Sequence, residues 1–255
     1  MFQPKYDFEW NMLGIYNYNY EGKLSKYFKY LESILDKSGD IFEAGVFRGS
    51  TLLSVALFLK EKGSNKKVYG YDSFKGFPPI ENDNDNLDRF VDLLESKRIT
   101  NEHFNKVQSS IRIRELIRND NIDLHSISTS ENFGDTSVKV LQKKIEFLGL
   151  DNIVLIDGNF DETMIPSNSY TPKILIGGII DCDLYKSYKT TLQFVWPKLI
   201  NGGLLYLDEY YSLKFPGGKI AVDEFLFENK NSGELIMNCK DSLGFERWML
   251  KKTTN

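Results

Sequence analysis

The apolar residues of the chain form short runs in some segments and follow a helical period in others. Seven runs predict β-strands, and in chain order they are IFEAGVF, KKVYGYDSF, NIVLID, KILIGGIID, LLYLDEYY, ELIMNCK and FERWMLKK. Helical spacing recurs in four sets, namely Leu24, Phe28, Leu31 and Leu35; Leu52, Val55, Ala56 and Leu59; Val138, Leu141, Ile145 and Leu148; and Leu192, Val195, Trp196 and Leu199. A fifth helix is predicted around GKIAVDEFLFE. Because strands alternate with helices and the chain ends in a hairpin, the pattern predicts an α/β fold with a doubly wound, mostly parallel sheet that contains one antiparallel strand.

Glycine and proline mark the predicted ends of these elements. Ser38-Gly39 ends the first helix, which belongs to an N-terminal helical extension of residues 1–39, and Pro197 disturbs the last turn of the fourth. Gly202-Gly203 turns the chain into the strand LLYLDEYY. Asp241 to Gly244 joins the last two strands as a hairpin.

Residues 78–132 depart from this regular alternation. The segment is polar and interrupted, and only short helical patterns occur in it, such as Phe90, Leu93 and Leu94. We expect an irregular insert that serves as a lid or an interface within a single domain of residues 1–255. Its histidines, His103 and His125, are expected to be packed or at the surface rather than catalytic.

Composition narrows the class of protein. With 255 residues, of which 41% are hydrophobic and 27% charged, the chain suits one large globular domain. Its 32 basic and 36 acidic residues give a formal net charge of −4, and no segment concentrates basic residues, so we expect no nucleic-acid partner.

Cys182 and Cys239 lie far apart, so neither a disulfide framework nor a zinc site is predicted, and a cytoplasmic location is the simplest expectation. The first residues lack a signal-peptide pattern, and no apolar run approaches the ~18 residues of a membrane span.

The stretch DIFEAGVFRGSTLLSVALFLK runs a strand into a glycine-containing turn and then into a helix. Glu43, Gly45 and Gly49 precede the helix start at Ser50. Glycines there allow a tight turn and a close approach of a ligand, although a turn that serves only packing has the same pattern. Asp72, at the end of the second strand, is placed to accept hydrogen bonds from the ribose of a nucleoside ligand, or else to cap the next turn.

Acidic residues also follow the later strands. Asp157 and Gly158 end the third strand, Asp181 and Asp183 follow the fourth, and Asp208 and Glu209 follow the fifth; carboxyl ends of parallel strands share one edge of a sheet. Three converging carboxylates, from Asp181, Asp208 and Glu209, would repel one another unless a cation lay among them, and oxygen ligands suit Mg²⁺ or Ca²⁺. The alternative is that Asp183 or Asp208 caps a helix or lies in solvent.

Five segments together resemble a known family. EAGVFRGST, YGYDSFKGFP, LIDGNFDETM, IDCDLYKSYKTTLQFVWPKLINGGLLYLDEYY and PGGKIAVDEF are similar, in order and spacing, to the macrocin O-methyltransferase (TylF-like) family, whose members methylate sugar hydroxyls with S-adenosylmethionine. The resemblance runs from about Asp40 to Phe225, and residues 80–130 have no evident counterpart in it.

The resemblance implies a class I methyltransferase (Rossmann-like) fold with a seven-stranded sheet. It places S-adenosylmethionine on Glu43 to Ser50 with Asp72 on its ribose, and Ser73, Gly158 and Asp181 are further expected cofactor contacts. It also implies Mg²⁺ on Asp181, Asp208 and Glu209, although the family usually has aspartate where Glu209 stands. In this scheme Mg²⁺ aligns the acceptor hydroxyls, and Asp181 or Asp183 takes the proton.

Two other functions remain open at this point. A nicotinamide-dependent oxidoreductase would share the fold, but the turn lacks the dinucleotide-binding glycine pattern. A non-catalytic binding protein could keep the fold without the reaction. The acceptor is also open, since a surface polysaccharide, a natural-product glycoside and a nucleotide-linked precursor all fit, and so does association of the chain into a homo-oligomer.

Overall fold

The computed structural model of the chain describes residues 2–128, 131–166, 170–240 and 244–253. One sheet contains seven strands, which span Asp40–Ala44 (β1), Val68–Asp72 (β2), Ile153–Asp157 (β3), Leu175–Ile180 (β4), Leu199–Leu207 (β5), Gly233–Lys240 (β6) and Glu246–Lys252 (β7). Their order across the sheet is β3-β2-β1-β4-β5-β7-β6. β7 is antiparallel to both β5 and β6, whereas β1 to β5 pair in parallel. The predicted α/β sheet with one antiparallel strand is confirmed.

Nine α-helices occur in the described ranges, and they span Asp7–Leu13 (α1), Ser25–Ser33 (α2), Ser50–Glu61 (α3), Arg89–Glu95 (α4), Asn101–Arg118 (α5), Val138–Leu148 (α6), Phe160–Thr163 (α7), Tyr185–Val195 (α8) and Gly217–Glu228 (α9). The five predicted helices correspond to α2, α3, α6, α8 and α9. α2 ends before its predicted stop at Ser38-Gly39. None of the helices in these ranges is long and apolar enough to cross a membrane.

Two hydrophobic cores cover the two faces of the sheet. Side chains alternate along a strand, so Ile41 of β1 packs into one core and Phe42 into the other. Helices α2, α3 and α6 complete the first core, and α8 and α9 complete the second. α3 is buried along all of Thr51–Leu59 rather than on one face only. These two layers hold the carboxyl ends of β1 to β5 in place.

Much of the insert is helical in its described residues, 78–128 and 131–132, so the prediction of an irregular segment is wrong. It contains α4, the 18-residue helix α5 and a 3₁₀-helix at Asp83–Asp85. α5 buries only His103 and Val107, so its sequence shows no apolar stripe, and this explains the error. The insert packs on the main domain through two small cores, one of which includes Ile220 of α9 and the other Phe215.

The start of β5 also differs from the prediction. α8 ends at Val195, and Leu199 already belongs to β5 instead of the helix. Gly202 and Gly203 lie inside β5, in a part where its pairing register with β4 shifts. Gly202 accommodates this irregularity with a φ of +79°, so the two glycines do not form the predicted turn. Residues 241–243 of the predicted hairpin turn lie outside the described residues.

Candidate active site

A pocket of about 630 Å³ opens at the carboxyl ends of β1 to β4. Its wall includes Gly45 after β1, Asp72 at the end of β2, Gly158 after β3 and Asp181 after β4. β1 and β4 are neighbours in the sheet although β2 and β3 separate them in sequence. The pocket therefore lies where the strand order switches, which is the place where open α/β sheets bind ligands.

Glycine is required in the loop after β1. Gly45 has a φ of +83°, and a Cβ atom there would lie 1.7 Å from the carbonyl oxygen of Asp181. Gly49 has a φ of +82°, and a Cβ atom there would lie 2.4 Å from Leu141 Cδ1. Gly45 and Ser50 line the pocket, whereas Gly49 is absent from the described pocket wall. Gly49 thus allows the loop to pack closely against Leu141 of α6, and its contact with a cofactor stays a prediction.

Asp72 joins the loops that follow β1 and β2. Its Oδ2 accepts hydrogen bonds from the backbone N–H groups of Val46 and Phe47, each at 2.8 Å, and its Oδ1 accepts one from Phe74 N at 2.6 Å. Asp72 also lines the pocket. The carboxylate therefore caps the turn after β2 and orders the loop after β1, and its contact with a ribose stays a prediction.

Glu43 is buried in β1 beside the pocket. Thr51 Oγ1 donates a hydrogen bond to its Oε1, while Oε2 is buried and has no hydrogen-bond partner among the described residues. Burial raises the pKa of Glu43 to about 8. Thr51 lines the pocket and Glu43 does not, within the described wall. Glu43 is thus an unsatisfied carboxyl group behind the pocket surface.

Ser73 and Gly158 complete the predicted cofactor side. Both line the pocket. Ser73 Oγ donates a hydrogen bond to the carbonyl oxygen of Gly76 at 3.0 Å, and Gly158 N donates one to the carbonyl oxygen of Asp72 at 3.0 Å. A Cβ atom at Gly158 would lie 2.8 Å from Thr163 Cγ2. The two residues fix the backbone of this wall next to Asp72.

The structure brings Asp181, Asp208 and Glu209 together, as the sequence predicted. One carboxylate oxygen from each lies within 4.8 Å of the others. Burial and then repulsion from Asp208 raise the pKa of Asp181 to about 6, and burial and the neighbouring acids raise the pKa of Glu209 well above its ordinary value. This arrangement of one buried and two half-buried acids favours a cation, and Mg²⁺ and Ca²⁺ prefer oxygen donors of this kind.

Asp208 is surrounded by positive charge that the sequence analysis missed. Its Oδ1 accepts hydrogen bonds from Lys23 Nζ at 2.9 Å, Arg247 Nη1 at 3.3 Å and Tyr206 OH at 3.4 Å. Although burial alone would raise it, these two cations lower the pKa of Asp208 to about 2. Lys23 is 185 residues away from Asp208 in the chain, so no local spacing could have indicated the contact.

Glu209 is held by Tyr188 of α8. The Tyr188 hydroxyl donates to Glu209 Oε2 at 2.8 Å and accepts from Glu209 N at 3.1 Å. Glu209 is 4% exposed. Its side chain, longer than the aspartate usual in the family that the sequence resembles, therefore reaches the cluster in a fixed orientation.

Asp183 lies beside the three clustered acids but does not belong to their set of converging oxygen atoms. It lines the pocket, is buried, and has a left-handed backbone conformation with a φ of +57°. Burial and then repulsion from Asp181 raise the pKa of Asp183 well above its ordinary value. The tight turn after β4 thus brings both acids to the pocket, and Asp181 belongs to the cluster as well.

The insert forms one side of the same pocket. Pro78, Ile80 and Asp85 of the insert line it, and the rings of Phe77 and Phe133, which flank the insert, pack with centroids 5.1 Å apart. Asp85 is 2% exposed, its Oδ1 accepts a hydrogen bond from Tyr185 N at 2.8 Å, and burial raises its pKa to about 6. Asp85 lies in a polar segment with many acids, so its sequence context did not mark it as a candidate site residue. The insert therefore forms part of the pocket wall.

The two histidines are packed or exposed, as predicted. His103 is buried, and its Nε2 donates a hydrogen bond to the carbonyl oxygen of Ser212 at 3.1 Å. His125 is exposed. Neither is part of the pocket wall in the described ranges.

A comparison with known protein families identifies the family of this chain. The family described as macrocin-O-methyltransferase (TylF) matches residues 23–123 and 117–239, which include β1 to β5 and most of β6. The chain belongs to the macrocin O-methyltransferase (TylF) family. The match also spans residues 80–130, so the expectation that this segment has no counterpart in the TylF family is wrong.

Characterised relatives of this TylF-family chain are O-methyltransferases. It is 26% identical over 210 residues to demethyldecarbamoylnovobiocin O-methyltransferase of Streptomyces niveus, covering 82% of the chain and 66% of the relative. It is 25% identical over 201 residues to mycinamicin III 3''-O-methyltransferase of Micromonospora griseorubida, covering 78% and 64%. A third relative, 24% identical over 173 residues with 68% and 53% covered, is 8-demethyl-8-(2,3-dimethoxy-alpha-L-rhamnosyl)-tetracenomycin-C 4'-O-methyltransferase of Streptomyces olivaceus. The chain thus spans just under two thirds of the length of the first two relatives.

Solved structures agree on the fold of this TylF-family chain. The O-methyltransferase NovP has a TM-score of 0.63 at 21% identity, covering 91% of the chain and 79% of NovP. An O-methyltransferase from Bacillus cereus, in complex with SAH, has a TM-score of 0.54 at 11% identity, covering 98% and 92%. The predicted class I methyltransferase (Rossmann-like) fold is confirmed.

Proposed function

We propose that this TylF-family chain is an S-adenosylmethionine-dependent O-methyltransferase that methylates a sugar hydroxyl with the help of Mg²⁺. The observation that carries the proposal is that Gly45 and Asp72, on the predicted cofactor side, line the same pocket as Asp181 and Asp183. A nucleoside ligand and a reactive hydroxyl can therefore meet in one cavity. Family membership favours methyl transfer over a nicotinamide-dependent reaction.

The residues of the first loops fit S-adenosylmethionine. Gly45 brings the backbone close to Asp181 and leaves no room for a side chain, and Asp72 orders the loop that would lie along the cofactor. The unpaired Oε2 of Glu43, beside Thr51 of the pocket wall, is an acceptor that the methionyl ammonium group would satisfy. When bound, the cofactor supplies a methyl group on a positively charged sulfur.

The clustered acids fit a divalent cation. Asp181, Asp208 and Glu209 all offer oxygen donors, and Lys23 and Arg247 offset part of the negative charge at Asp208. These three residues would hold Mg²⁺. When bound, it acts as a Lewis acid that orients neighbouring hydroxyls of the acceptor and favours their deprotonation.

Asp183 is the residue we assign as the general base. It lines the pocket without belonging to the metal cluster, so its carboxylate is available to a hydroxyl in the cavity. It would take the hydroxyl proton while the acceptor oxygen forms a bond to the methyl carbon and the bond from that carbon to sulfur breaks. Asp181 keeps the metal-binding role in this scheme.

The charge of the pocket favours an uncharged acceptor. Seven acidic and two basic residues contribute to its described wall, namely Asp72, Glu81, Asp85, Asp161, Glu162, Asp181 and Asp183, with Lys23 and Lys186. Lys186 pairs with Asp161 and Lys23 pairs with Asp208, so both basic residues of the wall are already engaged by acids. A nucleoside diphosphate group would therefore be repelled. Of the three acceptor classes left open by the sequence, a neutral glycoside fits best, and one relative is named for a rhamnosyl compound.

Calorimetric titration tests the cofactor assignment. The intact chain should bind S-adenosylhomocysteine and should show no binding of NAD at the same concentrations. Tighter binding of NAD would support the oxidoreductase alternative instead. Binding of neither ligand would favour a protein that has kept the fold without this function.

A further inference from the structure

Lys23 connects the pocket wall to Asp208, one of the metal-binding acids. Its side chain lines the pocket, and its ammonium group contacts Asp208 Oδ1 at 2.9 Å. Asp208 itself is not part of the described pocket wall. The Lys23 and Asp208 side chains are 29% and 19% exposed, so this ion pair is partly shielded from solvent. The ammonium group therefore joins Asp208 to the wall of the cavity in which an acceptor would bind.

The Lys23–Asp208 ion pair competes with a divalent cation for the same carboxylate. A cation that binds Asp181 and Asp208, and also holds an acceptor hydroxyl in the pocket, has to lie on the pocket side of Asp208. Lys23 reaches Asp208 from the pocket wall, and its positive charge is attracted to Asp181 as well as to Asp208. Two positive charges a few ångströms apart repel each other strongly in a poorly solvated site. The lysine and the metal ion are thus alternatives rather than partners.

Arg247 has a different relationship to the cluster. It contacts the same oxygen of Asp208 at 3.3 Å but belongs to β7 and is not part of the described pocket wall. Its position behind Asp208 suits a residue that orients the carboxylate. Lys23 belongs instead to the segment between α1 and α2, which also brings Tyr16 to the pocket.

We propose that Lys23 is the resident counter-cation of the acidic cluster and that a divalent cation displaces its ammonium group when it binds. Lys23 thereby weakens metal binding. The contact between Asp208 and the segment that joins α1 and α2 then exists only while the metal site is empty. The inference rests on the proposed metal site at Asp181, Asp208 and Glu209. Removal of the Lys23 charge should therefore strengthen metal binding. Loss of a residue that orients a metal ligand would instead weaken it.

Calorimetric titration of the full chain with MgCl₂ tests this inference. Lys23→Met keeps the aliphatic length without the charge and should tighten Mg²⁺ binding by about tenfold or more, because the competing charge is gone. Lys23→Arg keeps the charge and should bind Mg²⁺ as weakly as the wild type. Lys29→Met is the matched control, because Lys29 lies on the exposed side of α2 and pairs with Glu21.

Each outcome decides between the possibilities. Unchanged or weaker Mg²⁺ binding by Lys23→Met, with clear binding by the wild type, would overturn the role of Lys23 and leave the metal site standing. Absence of Mg²⁺ binding in every variant, with intact binding of S-adenosylhomocysteine, would overturn the metal site and this inference together.

A second measurement on the wild type does not depend on the folding of a variant. Amine labelling followed by mass spectrometry should show faster modification of Lys23 when MgCl₂ is added, with no change at Lys29. A labelling rate of Lys23 that MgCl₂ leaves unchanged would contradict the displacement.

Discussion

Asp85 accepts a hydrogen bond from the backbone N–H of Tyr185 at 2.8 Å, and this contact fastens the insert to the first residue of α8. A Cβ atom at Gly217, the first residue of α9, would lie only 2.0 Å from Asp85 Oδ1. One buried carboxyl group of the insert therefore sits at the starts of two helices of the main domain. The insert side of the pocket depends on it.

The first prediction concerns this carboxyl group. Asp85→Ala should lower the free energy of unfolding by about 1–2 kcal/mol, because the N–H of Tyr185 loses its acceptor at a helix start. Asp85→Asn should cost less, since the amide oxygen can still accept. Urea denaturation measures both, with Asp88→Ala as the control because exposed Asp88 caps nothing with its side chain. Equal stability of Asp85→Ala and the wild type would show that the contact does not hold the insert.

Asp72 should affect cofactor binding through the loop that it orders. Asp72→Ala removes the acceptor of the Val46 and Phe47 N–H groups and any contact with the ribose, so the affinity for S-adenosylhomocysteine should fall by about 1–3 kcal/mol. Asp157→Ala is the matched control, because Asp157 pairs with Asp72 across β2 and β3 but is exposed outside the described pocket wall. Calorimetry measures both variants, and an unchanged affinity in Asp72→Ala would remove this residue from the cofactor site.

The sequence predicted the sheet and the acids at its edge because both depend on local patterns. Apolar runs mark the strands, and Asp72, Asp181 and Asp208 come directly at or after the ends of such runs. Lys23 could not be predicted in the same way, because it meets Asp208 only through the tertiary fold. Helix α5 was missed for the opposite reason, since it buries too few residues to show a helical period. The features that were missed therefore depend on tertiary contacts, which leave no pattern in the local sequence.

Stability should depend on pH through His103. Burial lowers the pKa of His103 from its ordinary value of 6.5 to about 4, so between these values the unfolded chain binds a proton that the folded chain does not. The free energy of unfolding should therefore fall as the pH drops below 6.5, and the part due to His103 is about 2 kcal/mol at pH 5. Urea denaturation at pH 7 and pH 5 should show a smaller fall in His103→Gln than in the wild type. His125→Gln, at an exposed position, should behave like the wild type, and an identical fall in all three proteins would contradict the assignment.

The acidic pocket should discriminate between acceptors by charge. We expect a sugar linked to a nucleoside diphosphate to have a KM about tenfold or more above that of a neutral glycoside of the same sugar, because the wall repels the phosphates. Initial rates of methyl transfer measure the ratio of the two KM values. Glu81→Gln and Glu162→Gln, which remove exposed acids of the pocket wall, should lower that ratio, whereas Asp88→Asn should not. Preference for the nucleotide-linked sugar would refute the proposed acceptor class.

The metal ligands should separate catalysis from cofactor binding. Asp181→Asn and Asp208→Asn each remove a charged ligand of the cluster, so methyl transfer should be lost while S-adenosylhomocysteine still binds, because the cofactor is assigned mainly to the loops after β1 and β2. Glu209→Gln should lose Mg²⁺ affinity as well, since Tyr188 fixes that side chain at the cluster. Calorimetry with Mg²⁺ and with S-adenosylhomocysteine gives the two affinities, and loss of both together would point to a folding defect instead.

Methyl transfer from isotopically labelled S-adenosylmethionine to neutral glycosides, with Mg²⁺ and then with excess EDTA, tests the central claim most directly. The account predicts that label appears in a methoxy group of the sugar, that EDTA abolishes the transfer, and that Mg²⁺ restores it. The affinity for S-adenosylhomocysteine should stay the same throughout. Transfer that continues undiminished in excess EDTA would contradict the account, because Asp181, Asp208 and Glu209 would then have no metal-dependent part in the reaction.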